Sequence, residues 1–276
     1  MEEEQKIRVG ITQGDVNGVG LEIIMKALAE QEMYEGFIPI IYGSPKAAAY
    51  HRKNISLQNF SLNNIREASE AHPKRVNIIT CGDDNIHVEI GKPSQFAGEA
   101  ALESLKAAVE DLKKGAIDVL VLAPTSDAMM RTDSNNFTSQ QDYIAQQFGV
   151  DKCLSLLVSD SMRIGIATGN SDFEHISKHI SIENLQGKIQ MLNKALQTDF
   201  TIRRPRIAVL SLNPTAVNES TLGKEEKNVI LPAIESTQAE GICAMGPYTA
   251  DTIFGNGMAF KFDAILALYH DQGATP

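Results

Sequence analysis

Tryptophan is absent from this sequence of 276 residues, and aromatic residues make up only 6% of it. Cysteine is also scarce, because Cys81, Cys153 and Cys243 are odd in number, widely separated and placed in or beside apolar segments. This spacing predicts reduced thiols rather than a disulfide set or a zinc site. The sequence has no apolar run as long as a membrane helix, and it opens on three acids where a secretory signal has basic and apolar residues. We therefore expect a cytoplasmic protein.

Basic residues are fewer than acidic ones: the sequence has 25 lysines and arginines and 35 aspartates and glutamates, for a formal net charge of -10. A surface of this sign repels nucleic-acid backbones and anionic membranes, which argues against either as the main partner. With 43% hydrophobic and 22% charged residues, the composition is that of a folded globular protein rather than a disordered one. The length suits one large α/β domain or two lobes of ordinary size.

Short runs rich in Ile and Val alternate with stretches of helical period, which predicts βα units and a mostly parallel sheet. The expected strands are 7–11, 37–43, 117–124, 153–160, 162–168, 206–212, 242–245 and 262–268, with 153–160 and 162–168 forming a hairpin and 117–124 buried. The expected helices are 21–33, 44–53, 98–115, 141–149, 181–200 and 222–239. Residues 56–95, with RVNIIT and HVEI, are assigned only as irregular α/β structure.

Signals at helix ends support three of these assignments, two at helix starts and one at a helix C-terminus. Ser44 is expected to cap a helix that has Pro45 at its first position, and Ser181 with Glu183 is expected to open another. The sequence contains no repeat, low-complexity tract or clear linker, so any second lobe should be interleaved along the chain. The lysines and Gly115 at the end of GEAALESLKAAVEDLKKG are typical of a helix C-terminus.

The turn TQGDVNGVG places glycines between a strand and a helix, where backbone amides can hold an anion. Its spacing matches neither the P-loop nor the dinucleotide fingerprint, so a tight structural turn is an equal alternative, and Asp15 is compatible with an Asx turn. The loop NPTAVNESTLGKEE (213–226) lies between a strand and a helix, and its polar groups fit either a ligand site or a helix cap.

Two further segments carry candidate chemistry. Asp251, in the glycine-bounded loop GPYTADTIFGNG, is compatible with a base, a ligand or a turn residue. His270 and Asp271 follow an apolar strand, the position where α/β enzymes place catalytic groups. One histidine and one carboxylate do not make a metal site, since zinc takes three or four protein ligands. His175 and His179 are four residues apart but have no third ligand, and the remaining histidines, at 51, 72 and 87, are expected at the surface.

Seven motifs together are similar to one known family. They are ITQGDVNGVGLEIIMKAL, IIYGSP, DVLVLAP, RPRIAVLSLNP, LGKEE…ILPAIE, GPYTADTIF and ALYHDQG. In order and approximate spacing the sequence resembles 4-hydroxythreonine-4-phosphate dehydrogenase, an enzyme family of pyridoxal phosphate synthesis, over essentially its whole length. The resemblance implies an α/β fold like those of isocitrate and isopropylmalate dehydrogenases, with two interleaved lobes around a central cleft, and a homodimer.

The resemblance also implies a reaction. In the family a divalent metal (zinc, magnesium or cobalt) is held by three histidines contributed across the dimer, and it stabilises the developing oxyanion. NAD or NADP takes hydride from the hydroxyl carbon of the phosphorylated substrate, and the resulting keto acid loses carbon dioxide. His270 matches one metal histidine, and Asp251 and Asp271 match acids near the substrate. The residues that would bind the nucleotide are not identified.

The sequence departs from the family at positions of chemistry. Thr215 in NPTAVN and Asn170 in ATGNSD stand where the family has its other two metal histidines. Losing even an outer partner of a metal ligand lowers affinity roughly 10- to 100-fold, so replacing two ligands should cost more.

Three substrate positions differ as well. TSQQD, with Gln140 and Gln141, replaces a family motif whose His and Thr contact substrate, and Asp127 replaces a lysine. Family members also extend beyond YHDQG, and we expect residues of the segment absent here to serve the substrate phosphate and the nucleotide. The sequence therefore predicts a dehydrogenase of this family, or instead a non-catalytic dimer that binds a metabolite or acts as a scaffold, or a dehydrogenase for a related four-carbon phosphorylated acid.

Overall fold

The computed structural model describes residues 6–57, 59–83, 87–132, 135, 137–150, 153–169, 172–215 and 223–276. The chain divides into two compact units, Met1–Asp151 and Lys152–Pro276. Each unit has its own sheet and its own hydrophobic cores.

The first unit has strands β1 (Ile7–Thr12), β2 (Phe37–Gly43), β3 (Leu62–Ile65), β4 (Val76–Thr80) and β5 (Val119–Val121). Its helices are α1 (Gly20–Ala27), α2 (Pro45–Asn54), α3 (Gln95–Lys113), α4 (Asp127–Met130) and α5 (Gln140–Gln147), with 3-10 turns at Gln31–Tyr34 and Ala68–Glu70. In the described residues these strands form one parallel sheet in the order β3-β4-β2-β1-β5.

Helices cover both faces of the first sheet, as the apolar runs of its strands predict. On one face α1 and α2 pack through Leu21, Met25 and Ala48. On the other face, Ala108 of α3 packs in a cluster with Tyr42 of β2. Burial of each large side chain stabilises the fold by about 1.5–3 kcal/mol. The carboxyl ends of the parallel strands consequently lie at one edge, which carries the turns of interest.

The second unit has strands β6 (Ser155–Val158), β7 (Arg163–Ile166), β8 (Arg206–Leu210), β9 (Cys243–Tyr248) and β10 (Ala264–Ala267). Its helices are α6 (Ile176–His179), α7 (Ile182–Thr198), α8 (Leu231–Ala239), α9 (Ala250–Gly255) and α10 (His270–Ala274); 3-10 turns lie at Phe173–His175 and Met258–Lys261, and a π-helical turn (Glu226–Ile230) precedes α8. The strand order in the described residues is β6-β7-β10-β8-β9, parallel except for the expected β6–β7 hairpin.

Serine caps fix several helix starts where the sequence indicates them. The Ser44 hydroxyl accepts a hydrogen bond from the Ala47 amide (3.1 Å), with Pro45 at the first helical position. Ser181 caps α7 in the same manner. Such caps contribute about 1 kcal/mol each, and both predictions are confirmed.

Several expected elements differ from the observed ones. The helix expected over 21–33 ends at Ala27, and α3 begins at Gln95 rather than at 98. Within the segment expected as a buried strand, Val119 and Val121 are 44% and 45% exposed, because β5 lies at the edge of its sheet. Among the described residues, the strands of the first sheet lie within residues 7–121 and those of the second sheet within residues 155–267. Of the described helices, none is both long and apolar enough to cross a membrane.

Candidate active site

The glycine-containing turn after β1 is built from internal hydrogen bonds. Asp15 accepts a bond from the Asn17 amide (2.8 Å), which is an Asx turn, and the Gly18 amide donates to the Asp15 carbonyl (3.0 Å). Gly14 has a φ of 71°, and a Cβ there would lie 2.5 Å from the Pro124 carbonyl oxygen. These contacts favour the structural alternative for this turn over the anion-binding one.

Asn17 joins this turn to the segment before α3. Its side-chain oxygen accepts from the Glu89 amide (2.8 Å), and its side-chain nitrogen donates to the Lys92 carbonyl (2.9 Å) and the Ser94 hydroxyl (3.2 Å). Its carbonyl also accepts from the Gly91 amide (2.8 Å). Asn17 is buried, so each of these bonds satisfies a group removed from water. Asn17 was not among the residues predicted from the sequence.

The three positions that the resemblance assigns to substrate binding in the first unit lie after β5, in and around the short helices α4 and α5. Asp127 begins α4 and is partly exposed, and Thr125 donates a long hydrogen bond to its carboxylate (3.4 Å). Gln140 begins α5, and its side-chain nitrogen donates to the Ala123 carbonyl (3.4 Å). Gln141 follows it and is exposed. Among the described residues the buried Gln140 Oε1 atom has no hydrogen-bond partner, which marks a polar position open to a donor.

In the second unit, the motif YHDQG contains an exposed pair, His270 and Asp271, and a pair that packs inward, Gln272 and Gly273. The His270 Nδ1 atom lies 3.1 Å from a carboxylate oxygen of Asp271, and these side chains are 62% and 84% exposed. Gln272 is buried: its side chain accepts from the Leu268 amide (2.9 Å) and donates to the Ser211 carbonyl (2.7 Å). A Cβ on Gly273 would lie 2.4 Å from an Ile166 methyl carbon, so this glycine lets the turn approach the sheet. The outward pair is available to a ligand, and the inward pair maintains the fold.

Asp251 lies in the first turn of α9, immediately after β9. Its carboxylate accepts from the Thr249 hydroxyl and from the Thr252 amide (2.8 Å). The Thr249 hydroxyl, followed by this amide, holds the pKa of Asp251 below its usual range. The side chain is exposed and is an anion at neutral pH, so it is suited to accept hydrogen bonds from a ligand or to bind a cationic group.

The NPT turn (213–215) follows β8 and is held by a residue that the sequence analysis did not single out. Glu226 is fully buried, and one of its oxygens accepts from the Leu212 and Asn213 amides (2.9 Å each). Its other oxygen accepts from the Asn213 side chain (2.8 Å). Thr215, at the end of the turn, is exposed, and Asn170 lies outside the described residues.

The donors present do not fit the three-histidine metal site that the resemblance implies. His270 is the imidazole retained, whereas Thr215 offers a neutral hydroxyl, a weak ligand compared with imidazole. Within the described ranges, no group of three or more His, Cys, Asp or Glu side chains is arranged to hold a metal ion. We therefore assign no reaction step to a metal.

Comparison with known proteins places the chain in a family. The model of pyridoxal phosphate biosynthetic protein PdxA matches residues 35–276. The chain is 44% identical over 276 residues to 4-hydroxythreonine-4-phosphate dehydrogenase of Bacteroides thetaiotaomicron, covering 99% of this chain and 75% of that protein. It is 30% identical over 272 residues to a protein of Oceanobacillus iheyensis provisionally named D-threonate 4-phosphate dehydrogenase, covering 97% of this chain and 81% of the relative.

A solved structure gives the same result. The crystal structure of a 4-hydroxythreonine-4-phosphate dehydrogenase from Burkholderia phymatum is similar with a TM-score of 0.81 and 30% identity, covering 99% of this chain and 83% of that one. The expected α/β fold with two lobes built on largely parallel sheets is therefore confirmed. On the family match and these identities, the chain belongs to the family of pyridoxal phosphate biosynthetic protein PdxA.

Proposed function

We propose that this chain binds a phosphorylated four-carbon hydroxy acid, with 4-hydroxythreonine 4-phosphate as the first candidate, and oxidises its hydroxyl carbon with NAD or NADP. Decarboxylation of the resulting keto acid follows in this proposal, which assigns the chain to pyridoxal phosphate synthesis. The observation that carries it is the set of exposed polar side chains, Asp251, His270 and Asp271, immediately after β9 and β10. In parallel α/β sheets the carboxyl ends of the strands are the usual position of ligand sites.

The charge of these side chains favours 4-hydroxythreonine 4-phosphate over D-threonate 4-phosphate as the substrate. Asp251 is held as a carboxylate by Thr249, and Asp271 adds a second exposed acid beside His270. 4-Hydroxythreonine 4-phosphate carries an ammonium group that a carboxylate can bind, whereas D-threonate 4-phosphate carries a hydroxyl there. An ion pair to a carboxylate is stronger than a neutral hydrogen bond, so we expect tighter binding of the amino acid.

The residues of this chain act on the substrate by binding and orientation. Asp251 accepts hydrogen bonds from the substrate, and its carboxylate keeps a fixed direction because the Thr249 hydroxyl and the Thr252 amide donate hydrogen bonds to it. His270 is oriented by Asp271 at 3.1 Å. NAD or NADP, as the second substrate, supplies the hydride acceptor.

The metal positions favour a second candidate function, a metabolite-binding or scaffold dimer without catalysis. Thr215 and Asn170 replace two imidazoles, and a neutral hydroxyl and amide do not substitute for them as metal ligands. In both candidates we propose a homodimer, which sedimentation equilibrium would test.

One experiment separates the two candidates. The purified chain is assayed with 4-hydroxythreonine 4-phosphate and D-threonate 4-phosphate, with NAD and NADP, in parallel with calorimetric binding. Turnover supports the dehydrogenase, and binding without turnover supports the metabolite binder. Absence of both overturns these two functions and leaves the scaffold dimer, which sedimentation equilibrium tests.

A variant pair tests the role of the replaced ligands. In Asn170→His/Thr215→His we expect binding of zinc or cobalt, measured by calorimetry after chelator treatment, to be at least about tenfold tighter than in the unmodified chain. Asn170→Gln/Thr215→Asn is the matched control, because it changes side-chain size without adding an imidazole. Equal metal affinity in all three proteins would contradict the assignment of these positions.

A further inference from the structure

Two segments of the second unit run side by side at the carboxyl ends of adjacent strands. Strands β8 and β10 are parallel neighbours, with Ala208 opposite Ile265 and Val209 opposite Leu266. The segment after β8 leads to Thr215, and the segment after β10 leads to His270. Two of the three positions that the resemblance assigns to the metal are thus delivered by neighbouring strand ends.

Hydrogen bonds through Gln272 connect the two segments. Gln272 accepts from the Leu268 amide at the end of β10, and it donates to the Ser211 carbonyl just after β8. The Ser211 hydroxyl in turn donates to the Asn213 carbonyl (2.9 Å). A direct chain of contacts therefore runs from the turn that carries His270 to the turn that carries Thr215.

Glu226 holds the far end of this chain of contacts. It accepts three hydrogen bonds from Leu212 and Asn213, and all three donors are neutral. Burying a carboxylate among neutral donors is a weak source of stability, because the loss of hydration offsets the hydrogen bonds. Such a carboxylate instead fixes the orientation of the groups that donate to it, since each hydrogen bond has a preferred geometry.

We propose that the network of buried Ser211, Glu226 and Gln272 with half-buried Asn213 is a positioning device that fixes the NPT turn relative to the His270 turn for substrate binding. This inference rests on the proposed function, because the substrate is the ligand that the two turns would hold. It gives the LGKEE and YHDQG motifs a common role: Glu226 comes from the first and Gln272 from the second. Neither residue needs to contact the substrate.

The test exchanges donor and acceptor within the network. Asn213 also lies 3.3 Å from Glu225, so the reference protein is Glu225→Gln, which prevents repulsion in the later variants. Adding Glu226→Gln places two amide nitrogens opposite each other. Adding Asn213→Asp to that variant restores a donor–acceptor pair with the charge of the reference protein. The readouts are amide hydrogen exchange and the calorimetric Kd for 4-hydroxythreonine 4-phosphate.

We expect Glu226→Gln to accelerate exchange of the Leu212 and Asn213 amides about tenfold and to weaken substrate binding about tenfold, the effect of about one strong hydrogen bond. Exchange within β10 should stay unchanged, and Asn213→Asp should recover both values. If Glu226→Gln does not fold, Asn213→Ala in the reference protein takes its place with the same expected changes.

Three results overturn the inference: unchanged exchange at Leu212 and Asn213, an equal acceleration within β10, or local acceleration with no change in Kd. If the unmodified chain does not bind the substrate either, the proposed function fails. Whenever the reference protein does not bind, the network is judged on exchange. In that case, faster exchange of the Leu212 and Asn213 amides in Glu226→Gln, with recovery in the Asn213→Asp variant, supports the role of the network in fixing the turn. Unchanged exchange of these amides refutes that role.

Discussion

Replacing Gln272 by methionine tests how the end of β10 is attached to the end of β8. The substitution keeps an unbranched side chain of similar volume, so the packing change should be small. It removes the bond from the Leu268 amide (2.9 Å) and the bond to the Ser211 carbonyl (2.7 Å). Both partner residues are buried, at 0% and 1% exposure, so water does not readily replace the lost side chain.

The expected loss of stability follows from these two groups. A buried donor or acceptor left without a partner costs about 1–3 kcal/mol, and we therefore expect the free energy of unfolding to fall by about 2–4 kcal/mol. Gln197→Met is the matched control, because Gln197 is exposed and makes only a 3.4 Å contact with the Arg203 carbonyl. Its expected change is within about 0.5 kcal/mol.

Urea unfolding followed by far-UV circular dichroism is the appropriate assay, since the sequence has no tryptophan to report by fluorescence. Both variants are compared with the unmodified chain at one protein concentration. If Gln272→Met loses no more stability than Gln197→Met, the two hydrogen bonds do not hold the strand ends, and the reasoning is refuted.

Three further predictions follow. Thr249→Val should raise the pKa of Asp251 toward the ordinary value of about 3.9 in a carbon-13 NMR titration. Because the fold lowers this pKa, the Asp251 carboxylate stabilises the fold at pH values above its unfolded-state pKa. That stabilisation is lost as the pH falls through the folded-state pKa. Burial raises the pKa of the Cys81 thiol to about 12, so alkylation at pH 8 should label the exposed Cys243 and spare Cys81, as mass spectrometry would determine. Gly98→Ala should destabilise the chain by about 1–3 kcal/mol in urea, because the new methyl would lie 1.9 Å from a backbone oxygen of α4.

Much of the fold was predictable because its signals are local. Alternation of apolar strands with helical periods predicted the parallel sheets, and FIPIIYG coincides with β2 (Phe37–Gly43). The residues on either side of the turn at 159–161 formed the expected hairpin, since two apolar runs stand close together in sequence. Burial was less predictable: Val119 and Val121 have the composition of a buried strand, but exposure at a sheet edge depends on strand order, which no local pattern encodes.

The candidate site was predictable only in part. Exposed His270 and Asp271 were identified from their position after an apolar strand, and exposed Asp251 from its glycine-bounded loop, whereas the buried polar residues were missed. A signal for Glu226 did exist: Ile230 and Ile234 follow it at helical spacing and are buried, which places Glu226 on the buried face of the same helical segment. Its three partners come from residues 212 and 213, and such pairing across a loop is decided by tertiary structure.

The continuity of each sheet along the chain has a consequence for protein synthesis. All the strands described in the first sheet lie within residues 7–121, so this sheet can assemble while later residues are still being translated. Domains fold as units, generally the N-terminal one first. If the ribosome pauses beyond the first unit, the first sheet is therefore already complete and has helices on both faces. No described strand of that sheet is then left unpaired and exposed to aggregation.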